Sequence, residues 1–261
     1  MDKSSSVKTV DRLVKILDSF SRGRPTWSLA ELSVHLGLPK STLHRFLVSL
    51  EYHGVLRRDP GDLRWRLGYR LYLWGSLAAE STDLHQIARP IMRDLVAAAQ
   101  ETAILTVYHE RQVTCVEKVE TSLPVRLTLD RGTHHHPHAG ASSKVLMAYL
   151  PEEEIQAIIC DQGLPKLCTN TITDPDELIA ELTKIRGQGY AQSLEETDLG
   201  AWGIATPIHD RHGEVVAAIG VAGPSSRFTA DVAQRDAKLC CEAARRISTL
   251  LSTGLEPSDG V

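Results

Sequence analysis

The sequence contains little cysteine, few aromatic residues and no long apolar run. Its five cysteines are scattered and form no CxxC pair, so we expect reduced thiols and not a disulfide framework. No run of apolar residues approaches the length of a membrane span. The first ten residues lack the apolar centre of a secretion signal. These absences predict a cytoplasmic protein with no membrane partner.

Charge is distributed unevenly along the 261 residues, although the net charge is only −4. Residues 1–70 contain 13 lysines and arginines against 7 aspartates and glutamates, whereas the remainder contains 16 against 26. A basic first part joined to an acidic remainder is typical of a DNA-binding module attached to a module that does not bind DNA. The length allows two modest domains, each with its own core.

The basic part contains the pattern of a helix, a turn, a second helix and a hairpin within residues 28–67. In the first helix, Leu29, Leu32 and Leu36 recur at three- and four-residue spacing and form one apolar stripe. Gly37 can adopt the left-handed backbone conformation that ends a helix. This order of elements predicts a winged helix-turn-helix that places its second helix in the DNA major groove.

Polar and basic side chains remain on the outside of the second helix and on the hairpin. We predict that the DNA contacts are Lys40, Ser41, Thr42, His44, Arg45, Arg58, Arg64 and Arg66. Cations on the hairpin would hold the sugar-phosphate backbone, while the helix would reach base edges. Structural alternatives stay open, because Ser41 and Thr42 can cap the helix and Arg45 can form an ion pair within the domain.

The remainder alternates strand and helix patterns, which predicts an α/β (α+β) domain. The predicted strands are 103–108, 113–119, 125–130, 203–209 and 215–221, and the predicted helices are 83–100, 141–150, 152–160, 174–186 and 229–251. The predicted divisions are the winged helix-turn-helix (1–68), a linker helix that also forms a dimer contact (69–82), the second domain (83–253) and a disordered tail (254–261).

Residues 7–251 resemble the isocitrate-lyase-regulator (IclR) family of bacterial transcription factors. The resemblance rests on LGLPKSTLHRFLVSLEYHGVLRRD in the first domain and on HAGASSKVLMAYLPEEE and GYAQSLEETDLGAWGIATPIHD in the second. It implies a GAF-like effector-binding domain, a homodimer or dimer of dimers, palindromic operator DNA and a small organic effector. It implies neither a cofactor nor an enzymatic activity.

The resemblance also implies an effector site. The matching positions are Leu127, Ala141, Ser142, Ser193, Ala201, Gly203, Gly220 and Ala222. Where glyoxylate- and pyruvate-binding relatives carry an Asp, a Cys and two Ser, this chain carries Ser193, Gly203, Gly220 and Ala222. Smaller and less polar side chains predict a larger cavity and an effector larger than glyoxylate or pyruvate, such as an aromatic compound. Trp202, His138 and Ser142 are predicted to supply stacking and hydrogen bonds to it.

Two other interpretations start from residue clusters. The histidines of segment 134–138, with His109 or Cys115, suggest a metal-responsive regulator. However, the spacing matches no zinc signature and neighbouring strand residues point to opposite faces, so a loop of solvated histidines is the alternative. Glu195 and Glu196 with Asp198 suggest acid–base chemistry, against which the resemblance gives Glu196 a structural role near the effector site. Cys115 with His109 suggests a nucleophile pair, but nothing orients the base.

Overall fold

The computed structural model describes residues 7–21, 23–80, 83–127 and 129–253, with the backbone alone for residues 76–80 and 83. Residues 1–81 and 82–261 form two compact units. The first unit includes the helix that we predicted as a separate linker. The predicted tail, residues 254–261, lies outside the described residues.

The described residues of the first unit form four helices and a two-stranded antiparallel hairpin. Its elements are α1 (Lys8–Asp18), α2 (Leu29–Leu36), α3 (Lys40–Tyr52), β1 (Leu56–Arg58), β2 (Trp65–Leu67) and α4 (Tyr69–Glu80). Local sequence sets the helix ends. Ser28 and Glu31 form a reciprocal capping box at the start of α2, and Gly37 ends that helix with a φ of 63°. Pro39 is the N-cap of α3.

The hairpin is attached to the helices through its second strand. Trp27 forms an isolated bridge to Trp65, with N–O distances of 3.0 and 2.7 Å. Both indole rings are buried in one core with the apolar faces of α2 and α3. Gly68 follows β2 and donates its N–H to the carbonyl of Val55 at 2.7 Å. A side chain at Gly68 would overlap the backbone of Gly54, so this close approach requires glycine.

The second unit contains a six-stranded sheet in the order β5-β4-β3-β8-β7-β6, with every neighbouring pair antiparallel. The strands are β3 (Thr102–His109), β4 (Gln112–Val119), β5 (His134–His135), β6 (Ala191–Leu194), β7 (Ala201–His209) and β8 (Val215–Pro224). The helices are α5 (Asp83–Ala99), α6 (Ala141–Ala148), α7 (Glu152–Gln162), α8 (Pro175–Gln188), a 3-10 turn (Ser225–Arg227) and α9 (Ala230–Thr253).

Helices cover both faces of this sheet. Apolar side chains of α5 and α9 pack on one face, and those of α6, α7 and α8 pack on the other. Strand alternation assigns the small residues Ala205 and Ala218 to the α6 face, where they share a core with Ala141 of α6. Small side chains let α6 approach the sheet closely, which positions the start of α6 beside the strands.

Two sequence predictions about the strands are wrong. The described residues of segment 125–130 form no strand; instead the Thr102 hydroxyl donates to the Leu127 carbonyl at 2.9 Å, which holds this segment as a loop. His134 and His135, predicted as part of a solvated loop, form β5 and pair with Thr114 and Val113. Both errors arise because pairing to β4 depends on the chain's long-range path and not on local pattern.

Candidate functional site

The outward surface of α3 carries most of the residues predicted to contact DNA. Leu43 and Leu47 are fully buried on the inner face. The five predicted residues of this helix are exposed, apart from the partly buried Thr42: Lys40, Ser41, Thr42, His44 and Arg45. Within the described residues, Lys40 and Arg45 form no ion pair, so both cations are available to phosphates.

The arginines of the hairpin have partners within the unit. The Arg64 guanidinium donates to Glu31 at 2.6 Å and to the Thr26 hydroxyl at 3.0 Å. The backbone N–H of Ser28 and the Arg64 guanidinium together lower the pKa of Glu31 to about 2. Arg64 therefore connects the hairpin to the start of α2, a contact that the alternating pattern of the hairpin did not indicate.

Arg66 and Arg58 are also engaged. The Arg66 guanidinium lies 3.2 Å from Asp59 and 3.5 Å from Asp62, and Arg58 Nε donates to the Leu63 carbonyl at 3.2 Å. All three pairings involve exposed or partly exposed groups, which hold a cation weakly. A role for these arginines on DNA remains a prediction, and it requires them to exchange these partners for phosphate oxygens.

The second unit contains a cavity of about 90 Å³ on the α6 face of its sheet. Nine of the ten predicted effector residues border it: Leu127, Ala141, Ser142, Ser193, Ala201, Trp202, Gly203, Gly220 and Ala222. Sequence reasoning missed several further lining residues: Ile104, Thr106, Leu129, His135, Thr197 and Asp198. Strand pairing was the missing information, because Ile104 lies directly opposite Gly220 on β8.

The start of α6 borders this cavity. Among the described residues, no side chain caps the helix at Gly140, whose own N–H donates to Glu196 at 3.0 Å. The first-turn residues Ala141 and Ser142 line the cavity, and first-turn N–H groups lack intrahelical acceptors. Such a helix end favours a negatively charged oxygen group.

A buried lysine fixes the position of this helix. Lys144 is 2% exposed, and its ammonium group donates to Glu196 at 2.6 Å, to the Gln192 carbonyl at 2.9 Å and to Glu181 at 3.2 Å. Because two carboxylates neutralise it, Lys144 is a structural cation and not a ligand for the effector. Glu196 joins Lys144 to the Gly140 amide, which agrees with the structural role that the resemblance implied.

The glycines of the predicted site differ in the space around them. A Cβ atom at Gly203 would lie 3.7 Å from the Ala141 Cβ and 3.9 Å from the Ala222 Cβ, which are ordinary contacts. A Cβ atom at Gly220 would instead overlap the Ile204 carbonyl and Ala205 on β7. The absence of a side chain therefore leaves open space at Gly203. At Gly220 the space that a side chain would need is already occupied by β7.

The predicted role of Trp202 in stacking needs correction. Its ring packs against Phe228 with a centroid distance of 5.2 Å, in the core shared by α5 and α9. The next residue, Gly203, faces Ala141 across the cavity. Strand alternation turns the Trp202 side chain to the opposite face, so this residue borders the cavity through its backbone.

The histidines also differ from their predicted roles. His138 does not border the cavity; it is 1% exposed and its Nε2 donates to the Pro165 carbonyl at 3.1 Å. His135, which was not predicted, does border the cavity. Burial lowers the pKa of both imidazoles, so both are neutral near pH 7.

The metal and enzyme interpretations find no support. No group of three or more His, Cys, Asp or Glu side chains is placed to hold a metal ion within the described ranges. Burial raises the pKa of the Cys115 thiol to about 11, so this sulfur is a poor nucleophile.

In the part of the chain that the structure describes, no helix is both long and apolar enough to cross a membrane.

Comparison with known proteins agrees with this geometry. The family model for the IclR helix-turn-helix domain matches residues 9–60, and the model for the bacterial transcriptional regulator IclR C-terminal domain matches residues 76–249. The HTH-type transcriptional regulator KipR of Bacillus subtilis (strain 168) is 34% identical over 224 residues, which are 86% of this chain and 89% of KipR. The HTH-type transcriptional repressor AllR of Escherichia coli (strain K12) is 30% identical over 250 residues, covering 96% and 92%.

Solved structures show the same fold. An IclR regulator from Alicyclobacillus acidocaldarius superposes with a TM-score of 0.86 at 25% identity, covering 95% of this chain and 99% of that one. An IclR homolog from Microbacterium hydrocarbonoxydans, solved in complex with 4-hydroxybenzoate, gives a TM-score of 0.83 at 26% identity, covering 94% and 100%. The relatives are transcriptional regulators and not enzymes. This chain therefore belongs to the IclR family of bacterial transcriptional regulators.

Proposed function

We propose that this regulator binds palindromic operator DNA as a homodimer or dimer of dimers and responds to a small organic acid in the cavity beside α6. The proposal rests on the presence of two features in one chain. The first is an exposed basic helix within a helix-turn-helix, and the second is a mostly apolar cavity bordered by the N-terminus of α6. Control of catabolic genes follows as the expected role, because an acid that serves as a nutrient must be sensed before its enzymes are made.

The DNA contacts are proposed to come first from α3 and second from the hairpin. Lys40 and Arg45 are exposed and free of ion pairs within the described residues, whereas Arg64 must leave Glu31 before it can reach a phosphate. We therefore expect Arg45→Ala to weaken operator binding about tenfold. Because one phosphate contact is lost, the slope of log affinity against log salt concentration should become shallower by about one unit. We expect Arg64→Ala to lower the Tm of the first unit as well as to weaken binding.

A gel-shift series with the upstream region of the regulator's own gene tests this assignment. Arg93→Ala is the matched control, since Arg93 is an exposed arginine of α5 in the second unit. If Arg45→Ala binds operator DNA with unchanged affinity and salt slope, α3 is not the recognition helix. If Arg64→Ala keeps the wild-type salt slope of DNA binding while Arg45→Ala does not, the hairpin lies outside the interface.

The effector is proposed to be a carboxylic acid with an apolar body of about one ring. The first turn of α6 receives the carboxylate, and the small residues Ala141, Gly203 and Ala222 border the space for the body. A cavity of about 90 Å³ is smaller than the roughly 150 Å³ of an engineered apolar cavity that binds benzene. The lining must therefore yield slightly around a ring. The bound 4-hydroxybenzoate of the Microbacterium homolog supports this ligand class.

Titration calorimetry decides between the two effector sizes. We expect single-ring aromatic acids such as benzoate and 4-hydroxybenzoate to bind more tightly than glyoxylate or pyruvate. The same acids are expected to change the operator gel shift. Tight binding of pyruvate or glyoxylate alone would contradict the larger effector while leaving DNA binding by the regulator intact.

Exposed apolar residues on two helices of the first unit support self-association. Tyr69, Tyr72 and Trp74 of α4 are 70%, 65% and 51% exposed, and Val10 and Val14 of α1 are 52% and 49% exposed. Several large apolar side chains exposed on the same helices favour protein–protein contacts. A second copy of the chain covers these helices in the proposed dimer.

A further inference from the structure

The imidazole of His135 is a buried polar group that borders the cavity and has no evident structural task. Its Nε2 atom is shielded from solvent and has no hydrogen-bond partner among the described residues. Buried polar groups are almost always hydrogen-bonded, so an unpartnered one calls for an explanation. His135 also borders the cavity, so a ligand in the cavity is a natural partner.

Strand pairing explains why this side chain faces the cavity. His135 lies directly opposite Val113 of β4, and directly paired residues of an antiparallel ladder share one face. Val113 belongs to the core beneath α6. His134 faces the other way, where its Nδ1 lies 2.9 Å from the Thr114 hydroxyl. The two neighbouring histidines therefore have different tasks, one within the strand pair and one towards the cavity.

The chemistry of His135 suits an oxygen acceptor. Burial lowers its pKa, with Asp198 opposing that shift, so the ring is neutral near pH 7 and carries one N–H donor and one acceptor nitrogen. The Asp and Cys that hold small acids in relatives are Ser193 and Gly203 here. His135 enters the same cavity from β5 and can replace the lost hydrogen bonds from a different strand.

We infer that His135 is an effector-binding residue of this regulator, which donates a hydrogen bond to an oxygen of the acidic effector. The inference rests on the proposed function, because it takes the cavity beside α6 as the effector site. It extends that function by assigning the main side-chain donor to β5, a strand that none of the positions implied by the resemblance occupies. Acids that place an oxygen within reach of β5 are then selected over acids that do not.

Calorimetry with His135 variants tests the inference. Benzoate, 4-hydroxybenzoate and pyruvate are titrated into the full-length wild type, His135→Leu and His135→Gln. For the acid that binds wild type most tightly, we expect His135→Leu to weaken binding about tenfold, as the loss of one buried hydrogen bond predicts. His135→Gln keeps a donor and is expected to stay within about threefold of wild type. The exposed neighbour gives the control His136→Leu, which is expected to bind as wild type does.

Each outcome is decisive. Equal affinity of wild type and His135→Leu for the bound acid overturns the role of His135 and leaves the proposed function intact. If wild type binds none of the acids, the proposed effector class fails, and the inference fails with it. Thermal unfolding without ligand separates binding from folding: a role in binding predicts that His135→Leu unfolds at the wild-type temperature or above, because it removes an unpartnered buried group. A marked decrease in Tm would make His135 a structural residue.

Discussion

At the scale of single residues, Gly203 is the position where we expect a side chain to limit the size of the proposed effector most directly. A Cβ atom fits there against Ala141 and Ala222 without displacing backbone. Any larger side chain would extend into the space assigned to the body of the ligand. The size of this one residue should therefore separate compact acids from ring-containing acids.

We predict that Gly203→Val weakens binding of a single-ring acid at least tenfold, because the added methyl groups occupy the ring's space. Pyruvate, being smaller, is expected to lose much less. Gly203→Ala serves as the graded control, with an intermediate effect. Calorimetry measures both acids on each variant, and a parallel loss for ring and pyruvate would show that the residue acts through folding and not through size.

The buried histidines predict a pH dependence of stability. Burial lowers the pKa of His135 and of His138 below their ordinary value of 6.5. As the pH falls through about 6.5, the unfolded chain therefore takes up protons that the folded chain does not, and the free energy of unfolding decreases. Each histidine contributes at most about 1.4 kcal/mol per pH unit. Urea unfolding between about pH 7 and pH 5 measures this slope.

His135→Leu and His138→Leu should each have a shallower slope than wild type, and His136→Leu should match wild type. Since His138 also loses its bond to Pro165, its variant is expected to be less stable at every pH. A slope that is identical in all four proteins would mean that neither buried imidazole is protonated on unfolding.

Sequence reasoning reached many of the site's residues and missed others for one physical reason. Residues on the long strands β7 and β8 and on α6 were recognised, since their order along the chain matches a known family. His135 was missed because β5 has only two residues and is defined by its partner strand. The direction of the Trp202 side chain was predicted wrongly because Trp202 was grouped with its neighbours Ala201 and Gly203. Successive residues of a strand point to opposite faces of the sheet, so the side chain of Trp202 points away from the cavity.

At the scale of elements, a buried carboxylate joins α5 to β4 and to the loop that precedes β5. Glu117 is fully buried, lies 2.7 Å from His85 Nε2 of α5, pairs with Arg131 of the loop, and accepts the Lys118 N–H at 2.8 Å. The loop continues into the strand that carries His135. One side chain therefore connects α5, β4 and the loop that continues into the strand of His135.

We predict that Glu117→Gln lowers the free energy of unfolding of the second unit by about 1.5–3 kcal/mol, the usual loss for a hydrogen bond to a charged group. Chemical denaturation measures the change. Glu110→Gln is the control, because Glu110 is 84% exposed and its loss should change stability by less than about 0.5 kcal/mol. Equal effects of the two substitutions would remove Glu117 from the contacts that matter for folding.

Most helices and the short strands of the hairpin were predictable from sequence, whereas the two-residue strand β5 and the loop at 125–130 were not. Caps such as Ser28 with Glu31 are local signals, so the start of α2 could be assigned from neighbouring residues alone. The segment 125–130 has a strand-like composition, but a hydrogen bond from Thr102 holds it as a loop. Edge elements depend on partners far away in the sequence, and a local pattern contains no information about those partners.

At the scale of the whole molecule, self-association should depend on the exposed aromatic residues of α4. We predict that Trp74→Glu dissociates the proposed dimer into monomers, because a charge would lie in an apolar contact. Sedimentation analysis measures the mass in solution. Val34→Glu is the matched control, since Val34 is an 83% exposed apolar residue on α2 of the same unit. If both variants remain dimers, α4 is not the contact.

Control of DNA binding by the effector requires reciprocal coupling. If the acid changes operator affinity by some factor, operator DNA must change affinity for the acid by the same factor. We predict a factor between about 5 and 150, the ordinary range for such coupling. Calorimetry with and without a duplex operator measures it, and identical affinities in the two titrations would exclude allosteric control by that acid.

The contrast between Gly203 and Gly220 bears on how such regulators diversify. At Gly203 a single substitution can alter ligand preference while the sheet stays as it is. At Gly220 a Cβ atom would overlap the Ile204 carbonyl and Ala205, so any side chain there requires β7 to move. Changes in effector preference should accordingly arise more readily at the first position, because the neighbouring strand fixes the second as glycine.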